Sequence, residues 1–383
     1  MKVVIVGPTY PLRGGQALLL GHVYEALRRR GVETRVITFR QLYPRLLFPG
    51  KREGNVSESP VQRLESEAIL TLMNPWTWRR ALARIGEPEP PDVILMTWWN
   101  PVFGPLFRFL IRGVRRRYGI PTVMICENVV SHEGRAVDSL LTRMGLAGPA
   151  AFIVLSQAVG TELALYRPDA VPMYSRLPIY DCYGGGAADP EESRRRLGFR
   201  ESRVVLFFGL VRAYKGLGVL IDAMAKVVSE VEDVRLLIVG EFYDGEGEHR
   251  ASIERLGLAD RTTVVAEYVP DEDVDQYFAL ADCVVLPYLS ATQSGITQVA
   301  QGAGVPMIAS RVGGLPETVI EGENGLLVEP GDPDALAAAI GRFFREDLGP
   351  ILRARMASRS GEDEPAEDEI ARHLEAWVGS NQS

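Results

Sequence analysis

Short runs rich in valine, isoleucine and leucine recur along this chain, each separated from the next by a helical pattern. That alternation constrains the fold more than any other feature. Strands of a parallel sheet are buried on both faces by crossover helices, so they read as continuous apolar runs instead of alternating ones. In the first half the runs lie at 2–7, 33–38, 92–97, 122–126 and 151–156. In the second half they lie at 203–209, 234–240, 262–266, 282–287, 305–310 and 325–328. Amphipathic stretches at 16–30, 218–231, 271–280 and 333–344 stand between them. The pattern is βαβα twice over, and predicts an α/β protein of two Rossmann-like, doubly wound domains facing a cleft. A length of 383 residues agrees with two domains. The best linker is 181–194, with Gly184-Gly185-Gly186, so the expected domains are 1–182 and 183–355. After them, 356–383 is expected to pass an acidic hinge and form a helix packing back on the first domain.

Composition narrows the setting. Cys126, Cys182 and Cys283 are too few and too widely spaced for a disulfide framework or a C-x-x-C metal site, which fits a reducing cytoplasm. The opening Met1-Lys2 runs straight into Val3-Val4-Ile5-Val6, too short for a signal-peptide core, and no run approaches the roughly 18 apolar residues of a membrane span. Charge is divided unevenly. Residues 1–183 hold 23 Lys+Arg against 15 Asp+Glu, a net +8, and the remainder carries −16. The basic half suggests an anionic partner or surface, although runs such as Arg28-Arg29-Arg30 are also what solvated helix ends look like.

Three loops carry the chemistry. After the first run comes Gly7-Pro8-Thr9-Tyr10-Pro11-Leu12-Arg13-Gly14-Gly15, opening a helix whose free amides could meet an anion. It is not a G-x-G-x-x-G fingerprint, and Phe39-Arg40 stands where a dinucleotide fold ends its second strand with an acid, which disfavours a nicotinamide dehydrogenase. The second domain opens with Phe208-Gly209-Leu210-Val211-Arg212-Ala213-Tyr214-Lys215-Gly216, two cations three residues apart at a strand end, suited to an anionic leaving group or else simply solvated. Later, Leu286-Pro287-Tyr288 leads into Ser290-Ala291-Thr292-Gln293-Ser294-Gly295-Ile296-Thr297-Gln298. This small-residue loop before a helix could hold a diphosphate on its amides, or be no more than a capped helix start.

With Gly304-Val305-Pro306-Met307-Ile308-Ala309-Ser310, Gly313-Gly314-Leu315-Pro316-Glu317 and Asn324-Gly325-Leu326-Leu327, these loops resemble the sugar-nucleotide domain of glycosyltransferase family 4, and the resemblance extends over nearly the whole chain. It implies a GT-B fold and a retaining, metal-independent glycosyltransferase that moves a sugar from a nucleotide diphosphate to an acceptor hydroxyl of a glycan, glycolipid or small molecule. The sugar nucleotide is a co-substrate, and no cofactor is implied. By the same resemblance Gly14, Gly15, Gly209, Arg212, Lys215, Tyr268, Gln293, Ser294, Gly295, Thr297 and Gln298 would bind the donor. Two family glutamates, eight positions apart, fall at Ala291 and Val299, and the usual arginine falls at Leu210. Polar residues of the S-A-T-Q-S-G loop and the helix after it are therefore expected to replace the lost carboxylates. The chain is read as lacking a D-x-D triplet for bridging a diphosphate through a metal, and cations and amides are expected to do the work of a metal.

In the first domain Glu127 follows a strand directly, where many family members carry a histidine, and His132 comes five residues later beside Glu133. Both are candidates for orienting reacting groups, while Glu133 and Arg135 could equally form a surface cluster. Trp98, Trp99 and Asn100 follow another strand end, where they would line an acceptor pocket or join the core. Basic and large apolar residues interleave at 43–52 and 107–117, which suits peripheral contact with an anionic membrane, the second stretch being also a plain crossover helix. No nucleic-acid partner is expected. Two readings stay open beside the transferase: a sugar-nucleotide-binding protein without turnover, and a sugar-nucleotide epimerase.

Overall fold

The computed structural model describes residues 1–43, 54, 57–58, 60–130, 136–183, 188–199, 203–359 and 364–381. It divides into two compact units. The first comprises Met1–Asn55, Gln62–Pro178 and Glu364–Ser383, and the second Val56–Val61 and Ile179–Asp363. The chain thus crosses at 178/179, not at 182/183. The helix Leu348–Arg359 belongs whole to the second unit, so a boundary at 355/356 would cut through it. Arg353 holds that helix in place by donating to the carbonyls of Ala281 (2.7 Å) and Gly304 (3.0 Å).

The first unit is a seven-stranded, wholly parallel sheet: β1 (Lys2–Val6), β2 (Glu33–Gln41), β3 (Glu67–Thr71), β4 (Val93–Trp98), β5 (Thr122–Cys126), β6 (Ala151–Val154) and β7 (Met173–Tyr174), in the order β3-β2-β1-β4-β5-β6-β7. One face packs on the helices Pro75–Ile85 and Gly104–Tyr118 through Ala81, Ile85, Leu106, Phe107, Leu110 and Val114. The other packs on Gly15–Arg29 and Ala366–Asn381, the latter burying Ile370, Ala371, Leu374 and Val378. Arg29–Asp368 (3.2 Å) and Arg30–Glu375 (2.6 Å) flank that last contact, but exposed pairs of this kind are worth at most about 1 kcal/mol, so the apolar stripe holds the helix.

The second unit repeats the plan with six parallel strands, β8 (Arg203–Phe208), β9 (Val234–Val239), β10 (Thr262–Val265), β11 (Cys283–Leu286), β12 (Met307–Ser310) and β13 (Gly325–Val328), ordered β10-β9-β8-β11-β12-β13. In both sheets the chain first winds one way from the opening strand and then reverses. Ligands of such sheets bind at the carboxyl ends of the strands where the order reverses, between β1 and β4 in one unit and β8 and β11 in the other.

Candidate functional site

The loops after β8 and β11 meet at the second unit's reversal point. Gly209 leaves β8 with φ of 105°, and the chain passes through Arg212 into a short 3-10 turn, Ala213–Lys215. Gly216 follows with φ of 69°, and a Cβ there would stand 2.0 Å from the Pro287 carbonyl of the other loop. Only glycine permits that approach. Two residues further, the Leu289 amide donates to the Tyr214 carbonyl at 2.7 Å, and the rings of Tyr214 and Tyr288 meet edge to face at 6.2 Å.

This crossing buries the Lys215 side chain to 9% exposure, with its ammonium 5.5 Å from the centre of the Tyr288 ring. Among the described residues no carboxylate forms an ion pair with it. Burial, and after it the neighbouring Arg212, hold its pKa below the ordinary lysine value. The Arg212 guanidinium lies over the Tyr243 ring, 4.8 Å from its centre. The buried Tyr288 hydroxyl and the Ser294 hydroxyl share a hydrogen bond of 3.2 Å, and burial pushes the phenol pKa up to about 12. Ser294 also accepts from the Ile296 amide, capping the helix Gly295–Gly302 and leaving that helix start beside the lysine's aromatic neighbour. Gly313 packs against the same loop, since a Cβ there would fall 1.5 Å from the Ala291 carbonyl, and the Gly314 amide donates to Thr292 at 3.1 Å.

Several expected donor contacts change character. The Thr297 hydroxyl, almost wholly buried, donates to the Ser294 carbonyl at 2.6 Å, and the Gln298 amide donates to Thr297. These two hydrogen bonds brace the helix start from inside. Gln293 is different: its carbonyl oxygen is buried without a partner among the described residues, so it remains an acceptor in search of a donor. Tyr268 is half-buried after β10, next to the group that includes Tyr183 and Asp271. Tyr288 is the residue that sequence reasoning missed. Its signal was the strand-ending Leu286-Pro287-Tyr288, read there only as a boundary.

D-x-D triplets do occur in the second unit, at 271–273, 273–275 and 332–334, but their carboxylates are engaged in the fold. Asp271 accepts from the Val61 amide, Asp273 from the Gln276 amide, and Asp275 from the Ala188 amide. Asp332 caps the helix Pro333–Arg345, and Asp334 pairs with Lys226. Among the described residues no three His, Cys, Asp or Glu side chains gather as a metal-holding group.

In the first unit Gly14, with φ of 111°, caps the helix that Gly15 begins, and a Cβ on Gly15 would meet nothing within 4 Å. Trp98 is completely buried, donates its indole N–H to the Val129 carbonyl at 3.1 Å, and leaves no room for a side chain at Gly145. Trp99 packs in an aromatic cluster with Phe39, Phe103 and Phe107. Neither tryptophan can present a face to an acceptor, so both are core. Asn100 accepts from the Val102 amide at 3.0 Å, capping the next turn. Glu127 is brought to the end of β5, its amide donating to the Trp98 carbonyl. Only 8% exposed, with one carboxylate oxygen lacking a partner among the described residues, it has its pKa raised by burial to about 8. His132 and Glu133 lie outside the described residues.

Two Rossmann-like units in one chain, the second bearing a buried cation and a helix start at its reversal point, define a protein of the GT-B class. Family comparison agrees. Residues 202–346 match the model of glycosyl transferases group 1, and residues 14–173 that of the glycosyl transferase 4-like domain. A D-inositol 3-phosphate glycosyltransferase of Segniliparus rotundus is 31% identical over 378 residues, covering 91% of this chain and 80% of the relative. One from Acidothermus cellulolyticus is 27% identical over 387 residues, covering 90% and 80%. Among solved structures, Anabaena HepE in complex with UDP superposes with a TM-score of 0.74 at 19% identity, covering 99% of this chain and all of HepE. Sucrose-phosphate synthase from Thermosynechococcus elongatus does so with 0.69 at 20%, covering 99% of each. The chain belongs to the glycosyl transferases group 1 family and is a glycosyltransferase of GT-B type.

Proposed function

We propose that this glycosyltransferase takes its sugar from a nucleoside diphosphate sugar and passes it to an acceptor hydroxyl with retention of anomeric configuration, using no bound metal and no cofactor. Lys215 carries the reading. A buried ammonium with no carboxylate partner among the described residues is costly, and an anionic diphosphate would relieve that cost. The helix start at Gly295 is close by, since a Cβ on Gly209 would meet both Ile296 at 3.1 Å and the Lys215 ammonium at 3.3 Å, and it adds amides and the positive end of a helix dipole. HepE, solved with UDP-glucose as well as with UDP, supports a nucleotide sugar as donor.

In this mechanism the bond from the anomeric carbon to the leaving phosphate oxygen breaks while the acceptor oxygen bonds to the same face. The acceptor proton passes to the leaving phosphate oxygen. Lys215, Arg212 and the helix amides are fixed before reaction and stabilise the charge that develops there. The unpartnered oxygen of Gln293 takes a hydrogen bond from a donor hydroxyl, standing in for the carboxylates missing at 291 and 299. Glu127, protonated at neutral pH, orients an acceptor group and abstracts no proton. An inverting enzyme would instead need a base on the far side of the sugar.

Proton NMR of the first-formed product, with activity followed in EDTA, tests the proposal. The expected product keeps the donor's anomeric configuration and the activity survives EDTA. An inverted product, or activity lost in EDTA and restored by Mn²⁺, overturns the corresponding part.

A further inference from the structure

Two neighbouring helices of the first unit, Pro75–Ile85 and Gly104–Tyr118, carry eight arginines and no carboxylate. They lie side by side on one face of the sheet, joined by the rings of Trp78 and Phe109 at 5.8 Å and by Leu82 against Gly113. With one flank against each other and their apolar stripes in the core, both present arginines outward: Arg79 and Arg80 on one, Arg112, Arg115 and Arg116 on the other. Arg84 is paired with Glu67 and Glu87, but none of those five arginines forms an ion pair among the described residues.

The apolar component is not where the sequence suggested. Phe107, Leu110 and Ile111 of the stretch 107–117 are core residues, and residues 44–52 lie outside the described ones. Met73 and Trp76 are the exposed apolar groups here, 69% and 74% accessible, at the carboxyl end of β3 where the first of the two helices starts. The Arg79 guanidinium stacks on Trp76, 4.9 Å from the ring centre. A wide cationic face edged by an exposed tryptophan and a methionine matches an anionic bilayer, where indole rings settle at headgroup level and arginines meet lipid phosphates. Among the described residues no helix is long and apolar enough to cross a membrane.

We propose that this two-helix face docks on an anionic phospholipid bilayer, Met73 and Trp76 entering the headgroup layer and the arginines neutralising lipid phosphates. The inference does not depend on the donor reading.

Co-sedimentation of the full chain with vesicles of phosphatidylcholine, and of phosphatidylcholine with equal phosphatidylglycerol, tests it. Binding should favour the anionic vesicles at least about tenfold and fall as salt shortens the screening length. Arg80→Gln with Arg112→Gln should weaken binding about 25-fold together, about fivefold each. Trp76→Ser should cost about tenfold, while all variants keep the wild-type melting temperature. Equal binding to both vesicle types, or variants that pellet like wild type, would overturn the proposal. So would tighter binding to single-stranded RNA that ignores Trp76→Ser, which would assign the face to nucleic acid.

Discussion

Replacing Lys215 by methionine should move two observables in opposite directions. Methionine follows the buried path of the lysine stem but carries no charge, so the empty protein loses an uncompensated buried cation and should gain roughly 1–3 kcal/mol. Nucleotide binding should suffer. A hydrogen bond to a charged group is worth about 1.5–3 kcal/mol, so the dissociation constant for the nucleoside diphosphate should rise about 10- to 150-fold. At a nucleotide concentration 100 times the wild-type constant, the ligand stabilises wild type by about 2.7 kcal/mol, and a variant weakened a hundredfold by only about 0.4 kcal/mol. For a unit of this size, each kcal/mol shifts the melting temperature by about 2–4 °C, so a ligand shift of about 5–10 °C should shrink to about 1 °C. The pH dependence follows the same cause. Because the native lysine pKa is depressed, the unfolded chain holds more protons between that value and 10.5, and wild-type stability rises with pH across this window. In Lys215→Met that rise should vanish. Calorimetric titration with UDP, GDP, ADP and dTDP, beside thermal melts of the empty protein, reads both effects. An empty variant less stable than wild type, with nucleotide affinity unchanged, would refute the unpaired-cation argument.

Two further substitutions probe the remaining chemistry. If Glu127 works in its protonated form, wild-type kcat/KM should fall as pH rises through about 8, and Glu127→Gln should flatten that limb; an unchanged profile removes the residue from the reaction. The same raised pKa makes wild-type stability decline from about pH 4.5 to about pH 8, since the folded state keeps a proton that the unfolded chain releases, and thermal melts of the glutamine variant should lack the decline. Ser294→Ala removes a helix cap and leaves the Tyr288 hydroxyl unpartnered, at a cost of about 1–2 kcal/mol, and adding Tyr288→Phe should restore part of it in denaturation experiments.

Every apolar run read from the sequence became a strand, because a strand covered on both faces must be apolar throughout and so announces itself. The two strands left unread, β3 and β7, are the edges of the first sheet. In β3 only Ile69 and Leu70 are buried, and β7 spans two residues, so neither offers a run long enough to notice. The backbone of the candidate site was legible where a motif fixed it, as at Lys215-Gly216 and Ser294-Gly295. Its residues were not legible where side-chain direction decided the role. Thr297 and Gln298 stand beside the candidate loop in sequence, but fall on the packed side of their helix. Trp98 and Trp99 end a strand as site residues do, yet the large space beneath the helix Gly104–Tyr118 needs them as filling.

That packing role also separates the strand ends of the two units, which are alike in strand order. At the reversal point of the first sheet, the end of β4 is closed by Trp98 and the aromatic cluster around Trp99, and the buried carboxyl of Glu127 stands at the end of β5. At the reversal point of the second, the loop after β11 is joined to the loop after β8 by backbone contacts and by the Tyr214–Tyr288 ring pair. Gly216 lets the cation loop touch the Pro287 carbonyl, and the Tyr214–Leu289 hydrogen bond ties the crossing. A side chain at 216 would push the two loops apart and take the Lys215 ammonium away from Tyr288 and the helix start. The lysine supplies the charge, but the glycine after it determines where that charge is held.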